Sequence, residues 1–480
     1  MPLGLGALGF HAIINDRYGL EADVTYLANS LHAVDIASLV HPQTNLRKHL
    51  ESGPSIMMRG EGIQVFDDTG RSFLDGAAGL WCASLGFAVE RLAKVAYEQM
   101  KTLGYYHSYR QSSNRPAIEL AEKLLAIAPV PMSRVMFQNS GSEANDTAIK
   151  LVWYFWHAQG KPQKRKIIAR QMGYHGTTCA SVSLSGKPDM HAEFGLPFDA
   201  FRHTDFPHYY RHHKNGETEE AYAGRLTDSL EQLILDEGPE TVAAFWAEPV
   251  MGAGGGVLPP RGYFEKVQAI LKKYDVLFVA DEVICGFGRT GNMWGSQTFD
   301  LVPDMISCAK ALSAGLQPIS ALLINQRVYE AMLAQSDKLG SFAHGTTYAG
   351  HPVAAAVALE TLRIYEEMDV VGHVRQVEPV FLDRVGGLRD HPLVGDFRGC
   401  GLIGGLEIVR DKQTREIFPA ALGVPARLDE AARRNGLILR FIGNRIAFSP
   451  PLIISAAEIE EMVRRLRKAL DETARELGHA

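Results

Sequence analysis

An α/β fold on a mostly parallel central sheet is predicted by three features of this 480-residue chain. Short apolar runs alternate with helix-length segments through its middle, the pattern of parallel strands joined by crossover helices. One run, 276–280, contains no polar residue and reads as a strand covered on both faces. It ends at Asp281, before a glycine-rich turn, and open α/β sheets place their ligands at such carboxyl ends.

Each element follows in order. Residues 134–138 form a short strand that runs through Ser140, Gly141 and Ser142 into a helix ending near 158. Residues 166–169 are the next strand, and 242–247 another, halted by Glu248 and Pro249. Residues 258–262 lead into a helix ending near Tyr274, just before the strand that carries Asp281. Toward the end, 398–407 reads as one glycine-rich strand of a smaller sheet. Ser455 and Glu458 form a capping box for a terminal helix, with Ile459, Met462, Val463, Leu466 and Leu470 as its apolar stripe. Residues 31–79 read as short strands with turns at Asp67, Asp68 and Gly70, so both chain ends are expected to build a smaller α+β domain. The expected division is an extension at 1–30, small-domain parts at 31–79 and 346–480, and a large domain at 80–345.

Composition excludes several classes. The length exceeds one ordinary core, and 46% apolar with 22% charged residues is globular composition. A net charge of −6 offers no footprint for nucleic acid. Cys82, Cys179, Cys285, Cys308 and Cys400 are scattered without CxxC spacing, which predicts a reducing compartment and no disulfide framework. No apolar stretch reaches the roughly 18 residues of a membrane span, and residues 1–10 lack the basic start of a signal peptide. A cytoplasmic protein is expected. A literal GxGxxG at 4–9 is set aside, because too few residues precede it to form the strand a dinucleotide site needs.

The chemistry centres on Asp281 and Lys310. Lys310 lies among small apolar residues, where desolvation favours a free, nucleophilic amine. Together the two suggest a pyridine cofactor held as an imine on Lys310, with Asp281 facing its ring nitrogen. Taken singly, each has an ordinary alternative: a turn aspartate and a solvated lysine. Ser140, Gly141 and Ser142 form either an anion site at a helix start or a plain N-cap. Tyr174, before His175 and Gly176, stacks on a flat heterocycle or simply packs, and Val283 could press on the opposite ring face. Thr347, in a polar turn before an alanine-rich helix at 353–362, is a cap or a ligand. His208, His212 and His213 match no zinc spacing and read as a solvated loop, so no metal is expected.

In this order the motifs become recognisable: 75–82, Ser140 to Glu143, 174–176, Glu248 with Pro249, 281–291, Lys310 and 345–348. From about residue 38 to 470 the chain resembles the class III pyridoxal-phosphate aminotransferases, the ω-transaminases, and most of all their amine:pyruvate branch. The resemblance implies a fold-type I enzyme with pyridoxal 5'-phosphate as cofactor. It implies that Lys310 binds the cofactor covalently and shuttles a proton, and that Asp281 keeps the ring nitrogen protonated. Ser140, Gly141 and Ser142 would hold the phosphate, together with Thr347 from a partner subunit. Tyr174, His175, Glu248 and Val283 would complete the cofactor site. Trp81 and Tyr105, beside Tyr106 and Tyr109, would wall the substrate pocket. An obligate homodimer with shared sites follows, a tetramer being left open.

The same resemblance sorts substrates. Relatives that use glutamate carry an arginine directly before the segment at 448–451, where this chain has Ala447. Arg440 instead matches the mobile carboxylate-binding arginine of amine:pyruvate enzymes, or it is a surface residue. The expected reaction moves an amino group from a primary amine (polyamine, aryl-alkyl or long-chain) to pyruvate. The alternatives are a β- or ω-amino acid donor, and a decarboxylase or aminomutase on the same fold. Gln43 replaces a phenylalanine usual in close relatives, which would enlarge or polarise the pocket.

Overall fold

The structure, a computed structural model, describes residues 29–479. Most of the expected extension, with its glycine motif, lies outside the described residues. The described residues divide into two compact units, residues 29–60 with 65–72, and residues 61–64 with 73–479.

The first unit opens with helices rather than the expected strands. Helix α1 (Leu31–Ser38) is capped by Ser30, whose hydroxyl accepts from the Ala33 N–H. Helix α2 (Leu46–Ser52) is capped by Asn45, which accepts from the Lys48 N–H, and stops at Gly53 with φ 67°. These caps are local signals that outweigh the weak apolar periodicity of so short a segment. Most of strands β1 (Met57–Glu61) and β2 (Gln64–Asp67) follow.

The second unit contains the seven-stranded central sheet. In chain order its strands are β4 (Arg134–Gln138), β5 (Lys166–Arg170), β6 (Phe201–Thr204), β7 (Val242–Ala247), β8 (Leu277–Asp281), β9 (Met305–Cys308) and β10 (Ser320–Ile324), arranged 4-10-9-8-7-5-6. Only β10 runs antiparallel to its neighbours. The two faces alternate along each strand. Leu277 and Val279 pack with Ile149, Val152 and Trp156 of helix α3 (Gly141–Ala158), while Phe278 packs with Phe264, Val267 and Leu271 of helix α4 (Tyr263–Lys273). Each such side chain contributes about 1.5–3 kcal/mol by leaving water, which is why the run at 276–280 carries no polar residue.

Two registers position the chemistry. Asp281 pairs beside Ser307, so the carboxyl ends of β8 and β9 lie together, and Lys310 follows β9 by two residues. Among the remaining strands, β3 (Ser72–Asp75) pairs in parallel with β13 (Leu437–Ile438) through Leu74 and Asp75.

An antiparallel sheet contains β11 (Val394–Cys400), β12 (Ile403–Ile408), β15 (Arg445–Phe448) and β14 (Arg440–Ile442) in that order. The single strand expected at 398–407 is thus a hairpin. Its turn sits at Gly401, where φ is +53° and a Cβ would lie 2.4 Å from the Arg289 carbonyl oxygen. Helix α5 (Ala456–Glu476) has the expected capping box, and its apolar stripe is buried.

Candidate active site

Asp281 ends β8 in a buried position, only 3% exposed. Three donors hold its carboxylate. Asn145 Nδ2 donates to Oδ2 at 2.9 Å, His175 Nδ1 lies 2.8 Å from the same oxygen, and the Val283 N–H donates to Oδ1 at 3.1 Å. A buried carboxylate with this many donors is fixed in position. Asn145, buried on the inner face of α3, escaped the sequence reading. Its amide also donates to the His175 carbonyl at 2.7 Å, tying α3 to that turn.

Val283 lies past the end of β8, which stops at Asp281. The turn folds it back, so that a Cβ on Gly141 would lie 3.1 Å from both of its methyl groups. Gly141 therefore leaves a narrow space against Val283. Gly176 makes a second opening, with φ +134° and a would-be Cβ 2.6 Å from Ser142 Oγ.

Ser140 follows its ordinary alternative in part. Its hydroxyl caps α3 by accepting from the Glu143 N–H, and Ser142 Oγ accepts from the Thr177 N–H. The helix itself cannot satisfy the N–H groups of Gly141 and Ser142 in its first turn, where an anion is favoured.

Lys310 begins a one-turn 3-10 segment, Lys310–Ser313, and has φ 48°. A positive φ on a side-chain-bearing residue is strained and clusters at functional positions. Its amine lies 5.7 Å from the ring centre of Trp81, which is itself buried with φ 59°. Trp81 packs in an apolar cluster with Val250, Ile284, Cys285, Ile403 and Ala447.

Glu248, fully buried, accepts from the Tyr174 N–H through Oε1 and from the Gly252 N–H through Oε2, each at 3.1 Å. Burial raises its pKa, opposed by the nearby His175. The Tyr174 phenol is also raised, by burial first and Asp281 next, while the charge of Arg440 pulls it back. Arg440 on β14 pairs directly opposite Ala447 on β15. Residues opposite each other in an antiparallel ladder share a face, so Arg440 is on the side where Ala447 meets Trp81.

Not every expected residue joins this group. Thr347 and Tyr105 are exposed, and the Tyr105 hydroxyl donates to the Thr347 carbonyl at 3.1 Å. The histidine patch is solvated only in part, with His212 exposed and His208 buried. His208 is fully buried with Nε2 2.9 Å from Glu407, because that carboxylate also gathers Arg211 and Arg398 and draws the segment into the protein.

The residues present fit a phosphorylated pyridine. A fixed carboxylate, a lysine amine beside an aromatic wall, two first-turn amides and openings at two glycines supply one partner for each part of it. A family model, aminotransferase class-III, matches residues 48–470. The chain is a class-III aminotransferase. Pyridoxal phosphate is its cofactor, and a solved ω-transaminase from Pseudomonas jessenii in complex with PMP is 50% identical, with TM-score 0.93 over 94% of this chain and all of that one. Among curated relatives, the chloroplastic gamma aminobutyrate transaminase 3 of Solanum lycopersicum is 47% identical over 94% of this aminotransferase and 88% of the relative. The mitochondrial gamma-aminobutyrate transaminase 1 of Oryza sativa subsp. indica is 50% identical over 88% and 82%.

The cytoplasmic expectation is contradicted by these relatives, which are named as chloroplastic and mitochondrial. Scattered cysteines separate reducing from oxidising compartments, and cannot separate the cytosol from a reducing organelle interior.

Proposed function

We propose that this class-III aminotransferase moves the amino group of a primary amine to pyruvate, giving alanine and an aldehyde or ketone. One observation carries the choice of pyruvate: Arg440 faces the cluster of Trp81 and Ala447 from the neighbouring strand, with alanine at the position directly before Phe448. A guanidinium entering from the side pairs with a small keto acid's carboxylate and withdraws when an uncharged amine enters. Ala447 leaves the pocket floor apolar for that amine.

Bound pyridoxal phosphate supplies the carbonyl that takes up the amino group and the ring that accepts electrons from the substrate carbon. Asp281, held by Asn145, His175 and Val283 N–H, keeps a proton on the ring nitrogen. The Lys310 amine would take the proton from the substrate carbon and deliver it on the cofactor side. Gly141 and Ser142 hold the phosphate, Tyr174 and Val283 flank the ring, and Trp81 excludes water. Thr347, exposed in one chain, reaches the phosphate of a second copy.

A second reading, an ω-amino acid donor such as 4-aminobutyrate, is favoured by the names of the curated relatives. Arg440 would then serve the carboxylate of donor and acceptor in turn. Both are tested by pairing each donor (an aryl-ethylamine, putrescine, 4-aminobutyrate) with pyruvate or 2-oxoglutarate. Alanine formation supports the proposal. Turnover with 2-oxoglutarate alone, or release of carbon dioxide without alanine, overturns it. Lys310→Ala is expected to lose all turnover while still binding the cofactor measurably; activity in that variant at the parent level refutes the assigned roles.

A further inference from the structure

Three ligand-type side chains converge within the first unit. Asp35 lies on α1, His41 follows in the connecting loop, and His49 lies on α2. His41 Nε2 is 2.9 Å and 3.1 Å from the two Asp35 oxygens, and His49 Nε2 is 3.1 Å from Oδ1. The imidazole centroids are 4.3 Å apart, and one donor atom from each residue falls within 4.8 Å of the others. His49 is buried and Asp35 nearly so, while His41 is more open, with 28% of its side chain exposed.

We propose that Asp35, His41 and His49 form a binding site for a first-row divalent cation of the zinc type, which staples α1 to α2. Bonds of about 2.0–2.2 Å to two imidazole nitrogens and one carboxylate oxygen place the donor atoms roughly this close together. Two nitrogens and one oxygen suit Zn²⁺ and its neighbours, whereas Mg²⁺ and Ca²⁺ take oxygen shells. Three protein ligands leave one position open, on the side of the more exposed His41, for water or an incoming donor. The proposal does not rest on the roles assigned to Lys310 and Asp281. The sequence reading expects no metal, because it weighs only the scattered cysteines and the patch at His208, His212 and His213.

The same geometry admits one competing occupant, a pair of protons. Each Nε2–H would then donate to Asp35, and the cluster would be a hydrogen-bonded clasp without an ion. Tag-free holoenzyme, stripped with a chelator and dialysed, is titrated with ZnCl₂ by calorimetry, with MgCl₂ in parallel. About one Zn²⁺ per chain should bind, with no heat from Mg²⁺, and His41→Gln or Asp35→Asn should weaken binding at least about tenfold. Circular dichroism establishes that each variant is folded, and His41→Gln, altering the most exposed ligand, decides alone if Asp35→Asn does not fold. Absence of saturable uptake, equal binding of Mg²⁺, or unchanged Zn²⁺ affinity in folded His41→Gln overturns the proposal and leaves the proton-filled clasp.

Discussion

Asn145→Ala isolates the support under Asp281, the carboxylate proposed to face the ring nitrogen, without touching that carboxylate. The substitution deletes two buried bonds, 2.9 Å to Asp281 Oδ2 and 2.7 Å to the His175 carbonyl. A hydrogen bond to a charged group is worth about 1.5–3 kcal/mol, and a neutral one about 0.5–1.5 kcal/mol. Asp281 keeps two other donors, His175 and the Val283 N–H, so only part of the charged bond's worth reaches the cofactor. Taking about 1.4 kcal/mol of it, cofactor affinity should fall about tenfold. The unpaired His175 carbonyl should cost roughly another 1–3 kcal/mol in stability. The assay is a titration of stripped protein with pyridoxal phosphate, followed by its visible absorbance, beside a thermal melt. A folded variant whose affinity stays within about twofold of the parent refutes the reasoning, since the bond to Asp281 would then carry no functional weight.

Two further predictions follow from the geometry and from a buried acid. Arg440→Ala should raise KM for pyruvate by about 10–100-fold, from loss of a charge-assisted pair, and leave the half-reaction with an uncharged amine nearly unchanged. Equal losses in both half-reactions count against a carboxylate role. Glu282, fully buried, has its carboxyl pushed up to about 7, chiefly by burial, although Ser296 and the Gly295 N–H hold its charged form. The folded state therefore binds the proton more tightly than the unfolded chain. Its stabilisation is complete below about pH 4.5 and is lost as pH rises to about 7, a change of about 3 kcal/mol. In melts across that window Glu282→Gln should flatten the decline; an unchanged slope assigns it to other groups.

Much of the site was legible because its signals are local. The all-apolar run before Asp281 demands a doubly covered strand, and a strand ending in an acid puts that acid at the ligand edge of a parallel sheet. Ser455 and Glu458 sit within one helical turn of each other, so their capping box needs no tertiary partner. Asn145 was missed for the opposite reason. Its meaning lies in contacts with residues 30 and 136 positions away, and no local pattern marks such an asparagine. The hairpin at Gly401 was read as one strand because its turn is dictated by the Arg289 carbonyl packed against it. Asp35, His41 and His49 likewise join only when α1 and α2 fold back on each other.

By itself, the order of residues determined the α/β class and the aminotransferase family, and it singled out the lysine–aspartate pair proposed for the chemistry, since strand burial and motif order are written along the chain. Only tertiary structure decided that Arg440 stands opposite Ala447, that His208 is buried against Glu407, and that Asn145 holds Asp281. Those facts depend on pairing registers and on charge burial between distant segments, and such pairings exist only once the sheets have closed.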